Sequence, residues 1–250
     1  MASASLAIIL AAGKGKRMGS DLPKVLLSVC GRPMIHYVVD AVRAAGVERM
    51  VVVVGHRADL VREELAGEPG VAFALQTDQL GTGHAVMACR EALVKHDGPV
   101  LILAGDSPLV QVSSLRAVLS EFGAQRPSCL LGTATKGDPA GLGRIVRDSA
   151  GNFLAIVEEK DATPVERAVS EVNMSTYVFQ AADLLWALDR LTDDNAQGEY
   201  YLTDCPGVLK AAGKKVVAVN VLQPCEALSI NTPAELAVVE DEMRRMTKLE

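Results

Sequence analysis

Residues 6–18 read LAIILAAGKGKRM, an apolar run of strand length that passes directly into a glycine-rich, basic loop. Backbone N–H groups at the carboxyl end of a strand suit phosphate oxygens, and Gly13 and Gly15 allow a close approach of the backbone. Lys14, Lys16, Arg17 and Lys24 concentrate positive charge in an acidic chain. The stretch therefore predicts a polyphosphate site, and the alternative is that the glycines only turn the chain and the cations are solvated.

Two well-known phosphate loops do not fit this stretch. A dinucleotide fingerprint requires glycine where Met18 stands, and the G-x-x-x-x-G-K spacing of a Walker loop is absent. Simple hydride transfer and P-loop hydrolysis are therefore disfavoured.

Elsewhere, apolar runs of strand length alternate with segments of helical period, which indicates repeated βαβ units and a mainly parallel sheet flanked by helices. We expect strands at 6–11, 50–54, 71–75 and 100–104 and helices at 34–45, 58–65, 82–94, 112–122 and 181–191, with a last helix from Thr232-Pro233. Short pieces at 143–147, 153–158 and 171–179 predict a small antiparallel insertion. The fold class is α/β, Rossmann-like, in one domain.

Composition excludes several classes of protein. The chain has 250 residues, a net charge of −6 and 4% aromatic residues, which argues against binding of nucleic acid. Its five cysteines form no C-x-x-C pair, so neither a zinc cage nor a disulfide framework is indicated. The early apolar run is too short to span a membrane and no basic segment precedes it. We expect a cytoplasmic protein without membrane or nucleic-acid partners.

The motif from Leu10 to Met18, with Pro23-Lys24, resembles the signature of the sugar-phosphate nucleotidyltransferases, the pyrophosphorylases that make nucleotide sugars. The resemblance implies the nucleotide-diphospho-sugar transferase fold. It also implies that Leu10, Ala11, Ala12, Gly13 and Gly15 hold the nucleotide phosphates. Arg17 and Lys24 would then be the catalytic residues that stabilise charge during transfer.

The segment from Gln76 to Ala85 is the first to narrow the substrate. A carboxamide can read a pyrimidine edge, and Gly81-Thr82-Gly83 lets backbone groups approach a base. The alternative is an ordinary helix entry, with Thr82 as its cap and His84 on the surface. The segment resembles the uracil-reading part of the bacterial N-acetylglucosamine-1-phosphate uridyltransferases, which implies that Gln76, Gly81 and Thr82 recognise the base.

A lone carboxylate, Asp106, follows the apolar strand at 100–104. Mg²⁺ prefers such hard oxygen ligands together with substrate phosphates, although an aspartate before Ser107-Pro108 also starts ordinary turns. The resemblance implies that Asp106 and Asn231 are the two metal ligands and that Mg²⁺ is the cofactor.

The presumed insertion carries the remaining motifs in the order of the family. The resemblance implies sugar contacts from five residues: Gly143, Glu158, Asn173, Tyr201 and Thr203. Each has a plain structural alternative, such as a turn at Gly143 or core packing at Tyr201.

Four positions depart from the family pattern. Ala104 and Leu142 stand where aromatic residues are usual, and Met174-Ser175 replaces Thr-Gly after Asn173. We expect Met174 to lie beside the N-acetyl pocket and to narrow it, so the choice of sugar is less firmly implied than the choice of uridine.

The reaction implied is uridylyl transfer from UTP to N-acetyl-α-D-glucosamine 1-phosphate. Rival interpretations are a pyrophosphorylase for another sugar 1-phosphate, a cytidylyl enzyme, and a non-catalytic nucleotide-sugar-binding regulator. The predicted organisation is a single nucleotidyltransferase domain over 1–250, without an acetyltransferase β-helix, acting as a monomer or weak homo-oligomer. Its nucleotide-binding part covers about 6–136 and its sugar-binding part about 137–231, and a helix at 232–248 follows.

Overall fold

The computed structural model describes residues 4–14, 21–195, 197–228, 230 and 232–247. The strands are β1 (Leu6–Ala11), β2 (Ser28–Val29), β3 (Arg32–Pro33), β4 (Arg49–Val54), β5 (Val71–Leu75), β6 (Pro99–Ala104), β7 (Cys129–Thr135), β8 (Arg144–Arg147), β9 (Phe153–Val157), β10 (Glu171–Gln180) and β11 (Val216–Asn220). The α-helices are α1 (Met34–Ala44), α2 (Ala58–Glu64), α3 (Thr82–Met87), α4 (Arg90–Val94), α5 (Val112–Gln125), α6 (Pro164–Arg167), α7 (Ala181–Leu188), α8 (Cys205–Ala211) and α9 (Pro233–Thr247).

Within the described ranges, nine strands form one mixed sheet whose main path runs β11-β7-β10-β6-β1-β4-β5. The pairs β1–β4, β1–β6, β4–β5 and β7–β11 are parallel, and only β10 runs antiparallel to its neighbours on this path. The hairpin β8–β9 is attached to β10, and β2–β3 form a separate ribbon. The predicted fold class is confirmed, and the antiparallel insertion is anchored by a strand of the main sheet.

Both faces of the sheet are covered, which explains why its strands are apolar throughout. Along β1, Ile8 packs with α3, α4, α7 and α8 on one face, whereas Ile9 packs with α1, α2 and α5 on the other. Both side chains are fully buried. Burial of such a side chain contributes about 1.5–3 kcal/mol, so this double layer holds the strand ends in place.

The predicted helix at 82–94 is wrong as a single element, because the structure divides it into α3 and α4. Cys89, at the N-cap of α4, has φ −87° and ψ 7°, outside the regular helix. The break allows Val86 of α3 and Leu93 of α4 to reach the same core, and both are fully buried.

Helix α9 covers a small hydrophobic core that includes Met34 and Val239 and is separate from the two cores on the faces of the sheet. Its predicted cap is present, since the Glu235 N–H donates to the Thr232 hydroxyl at 3.2 Å. Among the helices of the described chain, none has the length and apolar character needed to cross a bilayer.

Candidate active site

The carboxyl ends of β1 and β6 meet at one edge of the sheet. The N–H of Gly105 donates to the carbonyl oxygen of Leu10 at 2.8 Å, and a Cβ at Gly105 would stand 2.9 Å from that oxygen. Only glycine allows this approach without a shift, and it sets Asp106 beside the loop that follows β1.

Lys24 and Asp106 form an ion pair at this edge, with 2.5 Å between Nζ and Oδ2. Their side chains are 15% and 30% exposed, so both remain accessible to a ligand. Lys24 begins a one-turn 3-10 helix, Lys24–Leu26, directly after Pro23. The pair places one cation and one carboxylate where the sequence predicts phosphates and a metal.

A cavity of about 430 Å³ lies over these strand ends. The predicted metal ligand Asp106 lines it, together with eight of the predicted nucleotide-binding residues: Leu10, Ala11, Ala12, Gly13, Lys24, Gln76, Gly81 and Thr82. The predicted residues Gly15, Arg17 and Asn231 lie outside the described residues. We call this space the nucleotide cavity.

The backbone around Gly81 explains why glycine is needed there. Gly81 has φ +102°, and a Cβ would stand 2.6 Å from the carbonyl oxygen of Tyr200. The Tyr200 N–H donates to the Leu80 carbonyl at 2.8 Å, and its carbonyl accepts from the Gly83 N–H at 2.7 Å. The segment around Tyr200 therefore clamps the loop before α3.

Thr82 does not cap the helix, although the alternative interpretation of the sequence expected it to. Gly81 occupies the N-cap of α3, and Thr82 is the first helical residue without a side-chain cap bond. The Thr82 hydroxyl instead accepts the N–H of Leu202 at 3.1 Å. His84 is half-buried, and its Nδ1 lies 3.2 Å from the amide nitrogen of Gln76.

A second cavity, of about 560 Å³, opens beside the first. All five predicted sugar-binding residues line it: Gly143, Glu158, Asn173, Tyr201 and Thr203. We call it the sugar cavity. It lies between the hairpin β8–β9, strand β10 and the segment that precedes α8.

Strand pairing positions Asn173 at the wall of the sugar cavity. Its N–H donates to the Gly143 carbonyl at 2.8 Å. The residue is only 6% exposed, and the Tyr177 hydroxyl lies 2.8 Å from Nδ2 and 3.0 Å from Oδ1 of its side chain. Because that hydroxyl can both donate and accept, it is the Ser175 N–H, 3.3 Å from Oδ1, that favours this orientation of the amide.

Glu158 is the electrostatically unusual group of the sugar cavity. Burial raises its pKa above the ordinary value, the nearby Asp161 and Asp204 act in the same direction, and a hydrogen bond from Thr203 opposes the shift. A carboxyl group in such surroundings is suited to direct hydrogen bonding with a neutral ligand such as a sugar.

The expectation for Met174 is wrong. Met174 packs against the core on the far side of β10 and borders a separate small cavity, whereas Ser175 lines both the nucleotide and the sugar cavity. A bulge between Asn173 and Thr176 inserts two extra residues into β10, so the alternation is kept: Val172 and Met174 face one side, and Asn173 and Ser175 face the other. Ser175 takes up the irregularity with φ +52°, a conformation that glycine adopts more easily.

The two cavities meet at a junction formed by the residues that line both of them: Leu10, Thr82, Ser175 and Glu199. Sequence reasoning assigned no role to Glu199, or to Gln79, whose amide donates to the Ala12 carbonyl at 3.0 Å in the nucleotide cavity. Glu199 and Gln79 both lie in sequence motifs that resemble the family, so the resemblance was the signal that could have pointed to them. Ligands in the two cavities would therefore touch.

The donor set around Asp106 fits magnesium. A carboxylate on a strand end, open to the nucleotide cavity, is the kind of ligand that Mg²⁺ uses together with phosphates and water. In the described part of the chain no group of three or more His, Cys, Asp or Glu side chains forms a metal cage. Asp106 therefore suits a metal ion that arrives with its substrate.

A cavity at the strand ends of a Rossmann-like sheet, joined to a second cavity, is the arrangement expected of the nucleotidyltransferases, and this chain is one of them. It belongs to the family of the MobA-like NTP transferase domain, whose sequence model matches residues 7–199.

Known relatives agree with this assignment. The chain is 49% identical over 231 residues to the bifunctional protein GlmU of Geobacter metallireducens and 46% identical over 239 residues to that of Pelotomaculum thermopropionicum. These alignments cover 92% and 96% of this chain but 48% and 52% of the relatives, so the chain spans about half of their length. A UDP-glucose pyrophosphorylase solved with UDP-glucose shares the fold, with a TM-score of 0.78 at 16% identity over 97% of this chain and 99% of that one.

Proposed function

We propose that this chain transfers the uridylyl group of UTP to N-acetyl-α-D-glucosamine 1-phosphate, giving UDP-N-acetylglucosamine and pyrophosphate. The observation that carries the proposal is the junction of the two cavities beside the pair formed by Lys24 and Asp106. The similarity to GlmU proteins over nearly the whole chain supports the choice of substrates.

The chemistry requires no nucleophile from the protein. A phosphate oxygen of the sugar phosphate forms a bond with the α-phosphorus of UTP, and the bond from that phosphorus to the bridging oxygen of the β-phosphate breaks. Pyrophosphate leaves with the electron pair, in line with the attack. Because both reactants are anions, the protein has to supply orientation and positive charge.

We assign the charge to Lys24 and Arg17. Lys24 reaches the floor of the nucleotide cavity, where Asp106 holds its ammonium group in the absence of substrate. Asp106 and Asn231 would hold Mg²⁺, which when bound adds positive charge to the phosphate oxygens. A substrate phosphate then takes the place of Asp106 as the partner of Lys24.

We assign the recognition of the two substrates to residues in the two different cavities. Gln76, Gly81 and Thr82 recognise the uracil in the nucleotide cavity. Gly143, Glu158, Asn173, Tyr201 and Thr203 bind the amino sugar in the sugar cavity. The backbone of residues 10–13 and 15 holds the phosphates between them.

We further propose a single nucleotidyltransferase domain that works in the cytoplasm as a monomer or weak homo-oligomer. The five free cysteines, Cys30, Cys89, Cys129, Cys205 and Cys225, suit a reducing compartment. The sugar cavity draws most of its lining from residues 141–203, in agreement with a sugar-binding part at about 137–231.

The decisive experiment measures Mg²⁺-dependent release of pyrophosphate from UTP and N-acetylglucosamine 1-phosphate. Glucose 1-phosphate and glucosamine 1-phosphate serve as alternative acceptors, and CTP and dTTP as alternative donors. We expect the highest kcat/KM for the first pair. Asp106→Ala serves as the inactive control, and we expect it to fold normally. Turnover of Asp106→Ala at the wild-type rate with Mg²⁺ would contradict the proposed metal role.

A pyrophosphorylase for a different hexose or hexosamine 1-phosphate is the second candidate, favoured by Leu142 and Ser175 in the lining of the sugar cavity. Both residues depart from the family pattern at positions that touch the acceptor site. A preference for UTP with another sugar phosphate would select this candidate. Binding of UTP or a UDP-sugar without any turnover would instead indicate a regulatory protein.

A further inference from the structure

The carboxamide of Gln76 is held from behind by two protein acceptors. Gln76 lines the nucleotide cavity and is 4% exposed. Its amide nitrogen lies 3.1 Å from the carbonyl oxygen of Gly81 and 3.2 Å from Nδ1 of His84. These two acceptors match the two N–H donors of a primary amide.

This contact fixes the state of the His84 ring. An amide nitrogen donates and does not accept, so Nδ1 of His84 has to be the acceptor, and the ring proton resides on Nε2. The ring of Tyr200 packs near that of His84, with 6.4 Å between centroids and 32° between planes, which restricts rotation of the imidazole. The Gly81 carbonyl already accepts the Ala85 N–H at 3.1 Å, so His84 provides the less shared of the two acceptors.

With its N–H groups directed at the protein, Gln76 offers a ligand its carbonyl oxygen Oε1. Uracil carries an N–H at ring position 3, which that oxygen can accept. Cytosine has an unprotonated nitrogen there, and two acceptors facing each other in a buried site repel and remain unsatisfied. A rotated amide would present its NH₂ group and reverse the preference.

We infer that His84 is a positioning residue for base selection: through Nδ1 it holds the Gln76 amide so that its carbonyl faces the base and selects a pyrimidine with a ring N–H. The inference rests on the proposed function in one respect, namely that the nucleotide cavity takes the base of a pyrimidine nucleotide. It makes His84 responsible for choice of base without contact between His84 and the substrate.

Two substitutions at His84 separate orientation from packing. His84→Asn places its Oδ1 near the position of Nδ1 and keeps an acceptor, whereas His84→Phe keeps a ring against Tyr200 and removes the acceptor. Binding of UTP and of CTP, each with Mg²⁺, is measured by calorimetry for both variants and for the wild type, after their melting temperatures have been compared. His84→Leu replaces His84→Phe if the latter does not fold.

We expect the wild-type protein to prefer UTP and His84→Asn to retain that preference. The ratio of the UTP and CTP dissociation constants should change about tenfold toward CTP in His84→Phe, as expected for the loss of one buried hydrogen bond. A merely structural role for His84 would lower affinity for both nucleotides equally.

Three results would overturn the inference: equal binding of UTP and CTP by the wild type, an unchanged ratio in a folded His84→Phe or His84→Leu, or a loss in His84→Asn as large as in His84→Phe. Failure of the proposed function looks different. In that case the wild type binds UTP selectively, the variants behave as expected, and no sugar phosphate releases pyrophosphate.

Discussion

Replacement of Lys24 by methionine tests the proposed source of catalytic charge. Methionine keeps an unbranched side chain but removes the ammonium group that lies 2.5 Å from Asp106. Because both side chains are partly exposed, loss of the ion pair should lower the free energy of unfolding by about 1 kcal/mol or less. The variant should therefore fold, and its kinetics should report on charge alone.

The expected loss of rate follows from the position of Lys24 in the nucleotide cavity. A unit positive charge about 4 Å from a phosphate charge contributes about 4 kcal/mol at an effective dielectric constant near 20. Since each 1.4 kcal/mol corresponds to roughly tenfold in rate, the upper bound is about 10³-fold. Part of that interaction already exists in the bound substrate, so we expect a decrease in kcat of about 10²–10³-fold.

Pyrophosphate release at saturating UTP and sugar phosphate measures this decrease. Lys24→Arg is the matched control, because it keeps the charge and should lose less activity than Lys24→Met. A folded Lys24→Met with kcat within about threefold of the wild type would refute the assignment of Lys24, since removal of a transition-state charge cannot cost so little.

Three further predictions concern stability. Gly81→Ala should lower the free energy of unfolding by about 2 kcal/mol or more, because a non-glycine residue is strained at φ +102° and its Cβ meets a backbone oxygen at 2.6 Å. Gly123→Ala, in α5 with open space around it, should instead raise the free energy of unfolding by about 1 kcal/mol. Urea unfolding measures both changes. Burial acts to raise the pKa of Glu171, but its hydrogen bonds with Arg147 and a threonine outweigh burial and lower the pKa below 4.5. The stabilisation that ionised Glu171 gives the fold should therefore be complete above pH 4.5 and should be lost as the pH falls through the lowered pKa. Arg147→Met should lower the free energy of unfolding by about 2 kcal/mol at pH 7 and should abolish the part of the acid dependence of the melting temperature that comes from Glu171. An unchanged dependence of the melting temperature on acid pH would contradict the pairing of Arg147 with Glu171. Ser175→Gly should raise the free energy of unfolding by about 0.5–1 kcal/mol by relieving φ +52°, whereas Ser175→Ala should give no such gain, and equal effects of the two would show that strain is not the cause.

The first half of the sheet could be predicted from the sequence because its strands are buried on both faces and appear as unbroken apolar runs. Strands β7 and β11 were not among the expected strands, although β11 reads VVAVN, an apolar run of the same kind. Strand β7 contains Gly132, where a Cβ would stand 3.0–3.1 Å from the side chains of Val118 and Leu222. A larger residue here would crowd a helix and a loop that are distant in sequence, and a local pattern carries no sign of this.

The candidate site shows the same division. The resemblance to the family implied the site residues that line the two adjoining cavities, and the common edge of the parallel strands accounts for the nucleotide cavity alone. Strand alternation from Asn173 already places Met174 on the opposite face and Ser175 on the cavity face, so the sequence pattern was enough to predict both directions. For His84 the sequence offered a surface position as the alternative interpretation, and its proposed role depends on an amide eight positions earlier that lies 3.2 Å from its Nδ1.

The walls of the two cavities belong to parts of the fold with different mechanical support. The loop at Gly81 is clamped by backbone hydrogen bonds to Leu80 and Gly83 from the segment at Tyr200, and a buried amide completes it, so little can move there. The sugar cavity is bounded by a hairpin that joins the main sheet through a single register pair, Val172 with Arg144. The departures of this chain from the family pattern are not confined to one cavity: Leu142 lines the sugar cavity, Ala104 the nucleotide cavity and Ser175 both, whereas the contacts of Gln76 remain complete.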